Sequence, residues 1–319
     1  MTISYHWLSE YLPEIIEPER LSKILTSIGL EVEHMETYES IKGGLQGLVV
    51  GEVIECEQHP NADKLKVTKV NIGAELPLQI VCGANNVAVG QKVVVAITGT
   101  TIYPMNGEPL TMQVAKIRGT ESHGMICAED EIGLSANHDG ILILPNDIAP
   151  GTSVADYFKP YSDIIFEIGL TPNRCDAMSH IGVARDIRAF LKHHKGIDLP
   201  IQWPEVSEIQ NAMDSSRDIK LVNPEACSQY MLGEIKGVKV TSSPNWLQKK
   251  LMALGISPVN NVVDCTNFVM HEMGNPMHAF DARFFQHSLS VRFAKEGESL
   301  CTLDGKVRSL KSNDLIIDG

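Results

Sequence analysis

His59-Pro60-Asn61-Ala62-Asp63-Lys64-Leu65-Lys66-Val67 and, further on, Ile117-Arg118-Gly119-Thr120-Glu121-Ser122-His123-Gly124-Met125-Ile126-Cys127-Ala128 decide how the middle of this 319-residue chain is read. Each sets turn-forming residues beside a short β-prone run. Similar runs lie at 48–54, 65–72, 78–81, 92–97, 112–117 and 141–144, with turn signals such as Gly83-Ala84-Asn85-Asn86 and Asn106-Gly107 between them. Short strands at this spacing predict a closed barrel or a sandwich. The region from 41 to 151, about 110 residues, is the size of one small barrel.

The flanks have a different texture. Leu21, Ile24, Leu25 and Ile28 recur on one helical face, with Pro18 near the start and Gly29 just past the end. Beyond Pro150-Gly151, residues 164–168 read as a strand. Ile181, Ala184, Ile187 and Leu191 then line a helix that stops near Gly196, with Asp176 or Ser179 as its cap. Residues 1–40 and 152–200 are each too short for a good core. Together they are expected to form one small discontinuous α+β domain from which the barrel emerges. A polar linker is expected over 201–216. The last region is 217–319. Its clearest element is a helix with Ser243 as candidate N-cap, Pro244 at the first position, Leu247, Leu251 and Leu254 on one face, and Gly255 at its end.

Composition narrows the function classes. The chain is 43% hydrophobic and 21% charged, as globular proteins are, and no apolar run approaches the roughly 20 residues of a membrane span. Its start lacks the basic and apolar regions of a secretion signal. The seven cysteines are widely spaced and contain no CxxC, which argues against a zinc site or disulfide framework and for reduced thiols in the cytoplasm. No metal site is expected. The net charge of −13 argues against a strongly electrostatic nucleic-acid binder. It is uneven: residues 1–40 hold 2 Lys and Arg against 8 Asp and Glu, and residues 41–150 hold 7 against 12. No P-loop, GxGxxG, HExxH or GxSxG motif is present, so spacing alone identifies no enzyme.

The two opening strings, with Ile80-Val81-Cys82-Gly83-Ala84-Asn85-Asn86 between them, closely resemble the tRNA-binding OB-type domain of phenylalanine–tRNA synthetase β subunits, methionine–tRNA synthetase extensions and free-standing tRNA-binding cofactors. Such barrels hold nucleic acid in a basic groove, often by stacking bases on aromatics. Here the segment has one aromatic, Tyr103, and its candidate RNA-binding cations are Lys64, Lys66, Lys69, Lys116 and Arg118. An ordinary solvated barrel surface reads these cations equally well. His59 and His123 are expected to be turn or structural histidines. The string Glu167-Ile168-Gly169-Leu170-Thr171-Pro172-Asn173-Arg174-Cys175-Asp176-Ala177-Met178-Ser179 resembles the segment after that insert in bacterial phenylalanine–tRNA synthetase β subunits. Its Thr-Pro-Asn-Arg portion reads locally as a turn and helix entry.

The most diagnostic string is Ile256-Ser257-Pro258-Val259-Asn260-Asn261-Val262-Val263-Asp264-Cys265-Thr266-Asn267-Phe268-Val269-Met270-His271-Glu272-Met273-Gly274-Asn275-Pro276-Met277-His278-Ala279-Phe280-Asp281. It resembles the editing domain of the same β subunits, which hydrolyses tyrosine misattached to the phenylalanine tRNA. An apolar pocket rejects an added hydroxyl poorly, so a second site must remove the product. The resemblance assigns His278 and Asn267 to substrate and water positioning, Thr266 to pocket lining and Pro276 to a pocket wall. Taken alone, Asp264 and Thr266 read as caps and His278 as a core histidine. The family commonly has Cys-x-Arg-Tyr where this chain has Cys227-Ser228-Gln229-Tyr230, and valine at Cys265.

The expected architecture is multidomain α+β: an OB-type barrel inserted in a small α+β domain, followed by an incomplete α/β editing domain. The expected function is that of a β subunit of the class II phenylalanine–tRNA ligase, in an α2β2 assembly with tRNA(Phe) as ligand. ATP and Mg²⁺ are expected to serve the whole enzyme at its α subunit, and none to bind this chain. Residues 310–318 read as a β segment without a terminal signal. The expectation is that later editing-site segments lie beyond Gly319, leaving this stretch inactive alone. A free-standing RNA-binding module and a trans-editing hydrolase are the alternatives.

Overall fold

The computed structural model describes residues 1–12, 14–198, 200–206, 218–284, 288–302 and 304–318. Most of the expected linker at 201–216 lies outside them. Strand β1 (Thr2–Ser4) leads into helix α1 (Tyr5–Ser9), and the Ser4 side chain caps that helix by accepting from the Trp7 amide. Helix α2 (Pro18–Ser27) starts on a proline, whose missing N–H is an orphan at that position anyway. It buries Leu21, Ile24 and Leu25 and ends before Gly29, at φ 87°. Strand β2 (Glu31–Glu39) has no clear signal in the sequence, because nearly all its residues are exposed and no apolar alternation marks it.

The barrel region holds β3 (Leu48–Gln58), β4 (Lys66–Asn71), β5 (Leu78–Cys82), β6 (Lys92–Ile97), β7 (Thr101–Ile102), β8 (Leu110–Thr111), β9 (Ala115–Ile117), β10 (Thr120–Ser122), β11 (Gly124–Ile126) and β12 (Ile143–Leu144). One antiparallel sheet runs β11-β6-β3-β4-β5, with β12 also on β6. The His123 amide donates to Gln79 O at 2.9 Å and the Val81 amide to Ser122 Oγ at 3.1 Å. These bonds bring β5 back beside β10 and β11, so the sheet nearly closes. Strand β6 is buried on both faces. Val94 and Ala96 join one apolar cluster with Val50 and Ile102, and Val93 and Val95 join another with Val53 and Val70. Gly124 is obligatory where β11 meets β6, since a Cβ there would lie 2.5 Å from the Ala96 carbonyl oxygen.

The chain returns through α3 (Val154–Phe158), β13 (Ser162–Gly169) and α4 (His180–Lys195). Strand β13 lies between β1 and β2, antiparallel to both. At the base of the barrel the Ser40 amide donates to Tyr161 O, and the Tyr161 amide donates to Ser40 Oγ, both at 2.8 Å. Ser179 caps α4 by accepting from the Gly182 amide at 2.9 Å. The other expected cap, Asp176, pairs with Arg174 instead.

The last region holds β14 (Asp218–Leu221), α5 (Asn245–Ala253), α6 (Asn261–Met273), β15 (Ser288–Phe293), β16 (Ser299–Cys301), β17 (Val307–Ser309) and β18 (Leu315–Asp318). Strand β15 lies between parallel β14 and antiparallel β18. Helix α5 begins one residue later than expected. Pro244 takes the cap position with no side-chain bond, and the Ser243 hydroxyl donates to Asp264 instead.

Helices α5 and α6 pack on the N-terminal core. That core gathers Ile3, Trp7, Leu8, Leu25, Phe166, Ile168, Ile181 and Ile187, and Leu254 is buried with them while Phe268 packs against it. Trp7 stacks with His180 (ring centroids 4.1 Å, 24° between planes) and with Phe268 (4.6 Å, 13°). The Ser4 amide donates to His180 Nε2 at 3.1 Å, so Nδ1 holds the proton and donates to His271 O at 2.8 Å. Burial depresses the His180 pKa from 6.5 to about 3. Below pH 6.5 the unfolded chain therefore binds a proton that the folded chain refuses. Stability is complete above that pH and falls as pH drops toward 3, by at most about 1.4 kcal/mol per pH unit for this group. The urea midpoint should fall between pH 7 and 5.5, and less steeply in His180→Gln; equal slopes would refute the assignment.

Candidate functional site

Two places hold the predicted site residues. The first is one end of the barrel. Strands β9 and β10 pair Ile117 with Thr120, which leaves Arg118 and Gly119 as a two-residue turn at φ 49° and 95°. Positive φ at both central positions is the hairpin geometry that matches strand twist, and arginine is an uncommon occupant of the first. The 59–65 turn is tied to this hairpin. Buried His59 accepts at Nδ1 from the Asn61 amide (3.0 Å), so its Nε2–H donates to Ile117 O (3.1 Å). Asn61 Nδ2 donates to Arg118 O at 3.1 Å. His59 is thus a structural histidine, as the turn chemistry predicts.

The five cations divide. Lys66 is half-buried and donates to Val87 O (2.8 Å) and Asn85 O (3.3 Å), which pins the next turn. Lys69 pairs with Glu55 at 2.6 Å, and that carboxylate raises its pKa. Lys64, Lys116 and Arg118 are exposed and make no ion pair among the described residues. Lys116 lies opposite Glu121 in the β9–β10 register. Tyr103 sits elsewhere. Its ring lies so close over Gly43 that a Cβ there would be 2.2 Å from Cε2, and Lys42 Nζ is 5.5 Å from the ring centroid. An open groove beside it is lined by Gln46, Thr98, Thr100 and Tyr103, and by none of the five cations.

The second place is α6 and the chain just after it. Asn260 caps α6 by accepting from the Val262 and Val263 amides at 3.0 Å. Asp264 is fully buried. It accepts from Ser243 Oγ (2.5 Å) and the Val259 amide (2.8 Å), which ties the start of α5 to the turn before α6. Thr266 and Asn267 are neighbours on α6, both half-buried, and Thr266 Oγ1 donates to Val263 O at 2.7 Å. Thr266 is therefore a mid-helix residue bonded to its own backbone, not a cap. Gly274, at φ 78°, ends the helix. Pro276 and His278 lie in the exposed segment beyond it, with the His278 ring 6.2 Å from Phe280. His278 is thus not a core histidine. No hydrogen bond joins it to Thr266 or Asn267 among the described residues. Gln229 is exposed.

A buried network below this segment escapes sequence reasoning. Trp7 Nε1 donates to Tyr11 Oη, and Tyr11 Oη–H donates to Glu272 Oε1, both at 2.6 Å. Burial and the Glu272 carboxylate push the Tyr11 pKa up, so its hydroxyl keeps the proton. Partners 261 residues apart leave no local signal.

A family model described as "B3/4 domain" matches residues 226–319, and one described as "Putative tRNA binding domain" matches residues 48–153. The phenylalanine–tRNA ligase β subunit of Porphyromonas gingivalis is 48% identical over 99% of this chain and 39% of its own length. That of Bacteroides fragilis is 49% identical over the same shares. The chain therefore spans about two-fifths of the length of these relatives. A MetRS-related protein of Pyrococcus horikoshii overlaps 34% of this chain and 87% of its own, at 23% identity and a TM-score of 0.25, too low to bear on the fold.

Removing the buried Asp264 carboxylate orphans a hydroxyl and an amide. Asp264→Ala should cost on the order of 2–4 kcal/mol, and Asp264→Asn, which keeps an acceptor, clearly less. Urea unfolding of both variants measures this; equal losses would refute the pairing.

Proposed function

We infer that this chain belongs to the phenylalanine–tRNA ligase β-subunit family and contributes to the whole enzyme a tRNA-binding-type barrel and part of a hydrolytic editing site. The observation that carries this reading is the pairing, in one chain, of a tRNA-binding domain match with a B3/4 match that contains the 256–281 string. The whole enzyme joins phenylalanine to tRNA(Phe) with ATP and Mg²⁺, and that chemistry is assigned to an α subunit in an α2β2 assembly of the cytoplasm. We assign residues 1–40 and 152–200 to a small α+β domain, 41–151 to an OB-type barrel and 217–319 to the first part of the editing domain. The pairing of β13 with both β1 and β2 supports the first division.

In the editing reading, hydrolysis of tyrosyl-tRNA places a water against the ester carbonyl and releases tyrosine and the free tRNA 3′ end. His278 is exposed, and with Asn267 it is assigned to positioning substrate and water. Thr266 lines the pocket and Pro276 forms a wall. For the barrel, Lys64, Lys116 and Arg118 are the RNA-contacting cations. Arg118 supports this choice by holding a left-handed position that glycine or asparagine fills more easily. Lys66 and Lys69 are engaged within the barrel and contribute less.

Two measurements test the reading. In the full enzyme, His278→Ala should slow tyrosyl-tRNA deacylation by about tenfold or more while phenylalanine charging is spared. Equal loss of both activities would make His278 structural. For RNA, Lys64→Ala, Lys116→Ala and Arg118→Ala should each lower the slope of log affinity against log salt by about one, and Lys69→Ala by less. Unchanged slopes would remove the barrel end from the tRNA interface.

A further inference from the structure

The segment that holds Pro276 and His278 begins at Gly274, and the turn of α6 just before it is gripped from three sides. Glu272 accepts from Tyr11 Oη at 2.6 Å. His271 O accepts from His180 Nδ1 at 2.8 Å. Gly274 lies against the α4 cap, where a Cβ would sit 3.3 Å from Met178 O and 3.6 Å from Ser179 Cβ. One turn earlier, Phe268 stacks on Trp7. All these partners belong to residues 1–12 or 178–180, far from α6 in the chain.

The chemistry of these contacts is directional. Trp7 Nε1–H, the Tyr11 hydroxyl and the Glu272 carboxylate form a one-way donor chain, buried throughout. The neutral His180 is likewise fixed in one tautomer by the Ser4 amide. A carboxylate held by one hydroxyl, and a carbonyl held by one imidazole, favour one orientation of the last turn of α6. Apolar packing is non-directional; the two polar contacts add direction at the point from which 274–281 departs.

We propose that Tyr11, with Trp7 and His180, is a positioning residue for editing: by fixing Glu272 and His271 it sets where the Pro276–His278 segment leaves α6. The proposal rests on the editing reading of that segment. Displacement of a catalytic segment by about 1 Å costs up to about 100-fold in rate. The loss falls on kcat, because on the proposed reading the barrel cations and not this segment hold the body of the tRNA.

The test uses the full α2β2 enzyme and tyrosyl-tRNA(Phe). Tyr11→Phe and Glu272→Ala should each lower deacylation kcat by about 10-fold or more, with KM and phenylalanine charging within twofold. Glu272→Gln, which still accepts from Tyr11, should retain most of the activity. Tyr11→Phe/Glu272→Ala should be no worse than Glu272→Ala alone. Charging serves as the control for folding and assembly. Equal loss of charging and deacylation in both single variants would reduce Tyr11 to a structural role and overturn the proposal. So would unchanged deacylation kcat in both, and if His278→Ala is then inactive in editing, the editing reading survives. An unaffected His278→Ala enzyme would bring down that reading and the proposal together.

Discussion

A buried imidazole that must stay neutral organises the lower half of this molecule. His180 is wholly removed from water, and its two nitrogens are committed to the Ser4 amide and the His271 carbonyl. One ring therefore ties β1, α4 and α6, which lie up to 267 residues apart (Ser4 to His271). Removing a charge from water is expensive, so the protonated form is excluded and the tautomer is fixed. Trp7 stacks on the same ring and on Phe268, and Lys250 reaches over Trp7 at 5.1 Å to pair with Glu10. The α5–α6 pair is thereby fastened to the first dozen residues, even though the B3/4 match that contains it runs on to residue 319.

The electrostatics of the barrel depend on who holds which charge. Glu55 neutralises Lys69, Glu52 neutralises Lys92 at 2.8 Å, and Lys66 is spent on backbone carbonyls. Among the described residues, three cations stay without an ion pair at the 59–65 turn and the β9–β10 hairpin, which the His59 and Asn61 bonds hold together. The turn and hairpin thus set three cations beside two carboxylates, Asp63 and Glu121, a local balance unlike the 7 cations against 12 carboxylates of residues 41–150.

Much of this is legible in the sequence, and the reasons are local. Six of the barrel strands are marked by β-prone runs with Gly and Asn between them, and β6 coincides with its expected run at both ends, whereas the short β7, β8, β10 and β11 fall outside those runs. Ser179 as a cap, and Pro18 and Gly29 as helix punctuation, rest on bonds within a few residues or on steric rules that ignore context; for His59 the local half is its bond from the Asn61 amide, while its bond to Ile117 O spans 58 residues. What stays hidden depends on distant partners. Ser243 looks like an N-cap until Asp264, 21 residues on, takes its hydroxyl. Helix α6 is visible as a motif rather than an element, because its polar residues Asp264, Asn267 and Glu272 interrupt the apolar stripe. Two of them are buried against partners elsewhere in the chain, Asp264 against Ser243 and Glu272 against Tyr11. For the candidate site, residue types are readable, whereas the half-buried setting of Thr266 and Asn267 and the exposure of His278 are not.

The Ser40–Tyr161 contact has a consequence of another kind. The chain leaves the three-stranded sheet and comes back to it through two hydrogen bonds at one spot, so residues 41–160 form an excursion with a closed mouth. The entropy of closing such a loop grows only slowly with its length. Strands β2 and β13 hold their register through their own ladder, from Glu39 opposite Ser162 to Glu31 opposite Gly169. The junction has the geometry of a graft point: the barrel joins the sheet beside one pair of hydrogen bonds, while the β1-β13-β2 sheet and the α6 anchorage are built from residues outside 41–160.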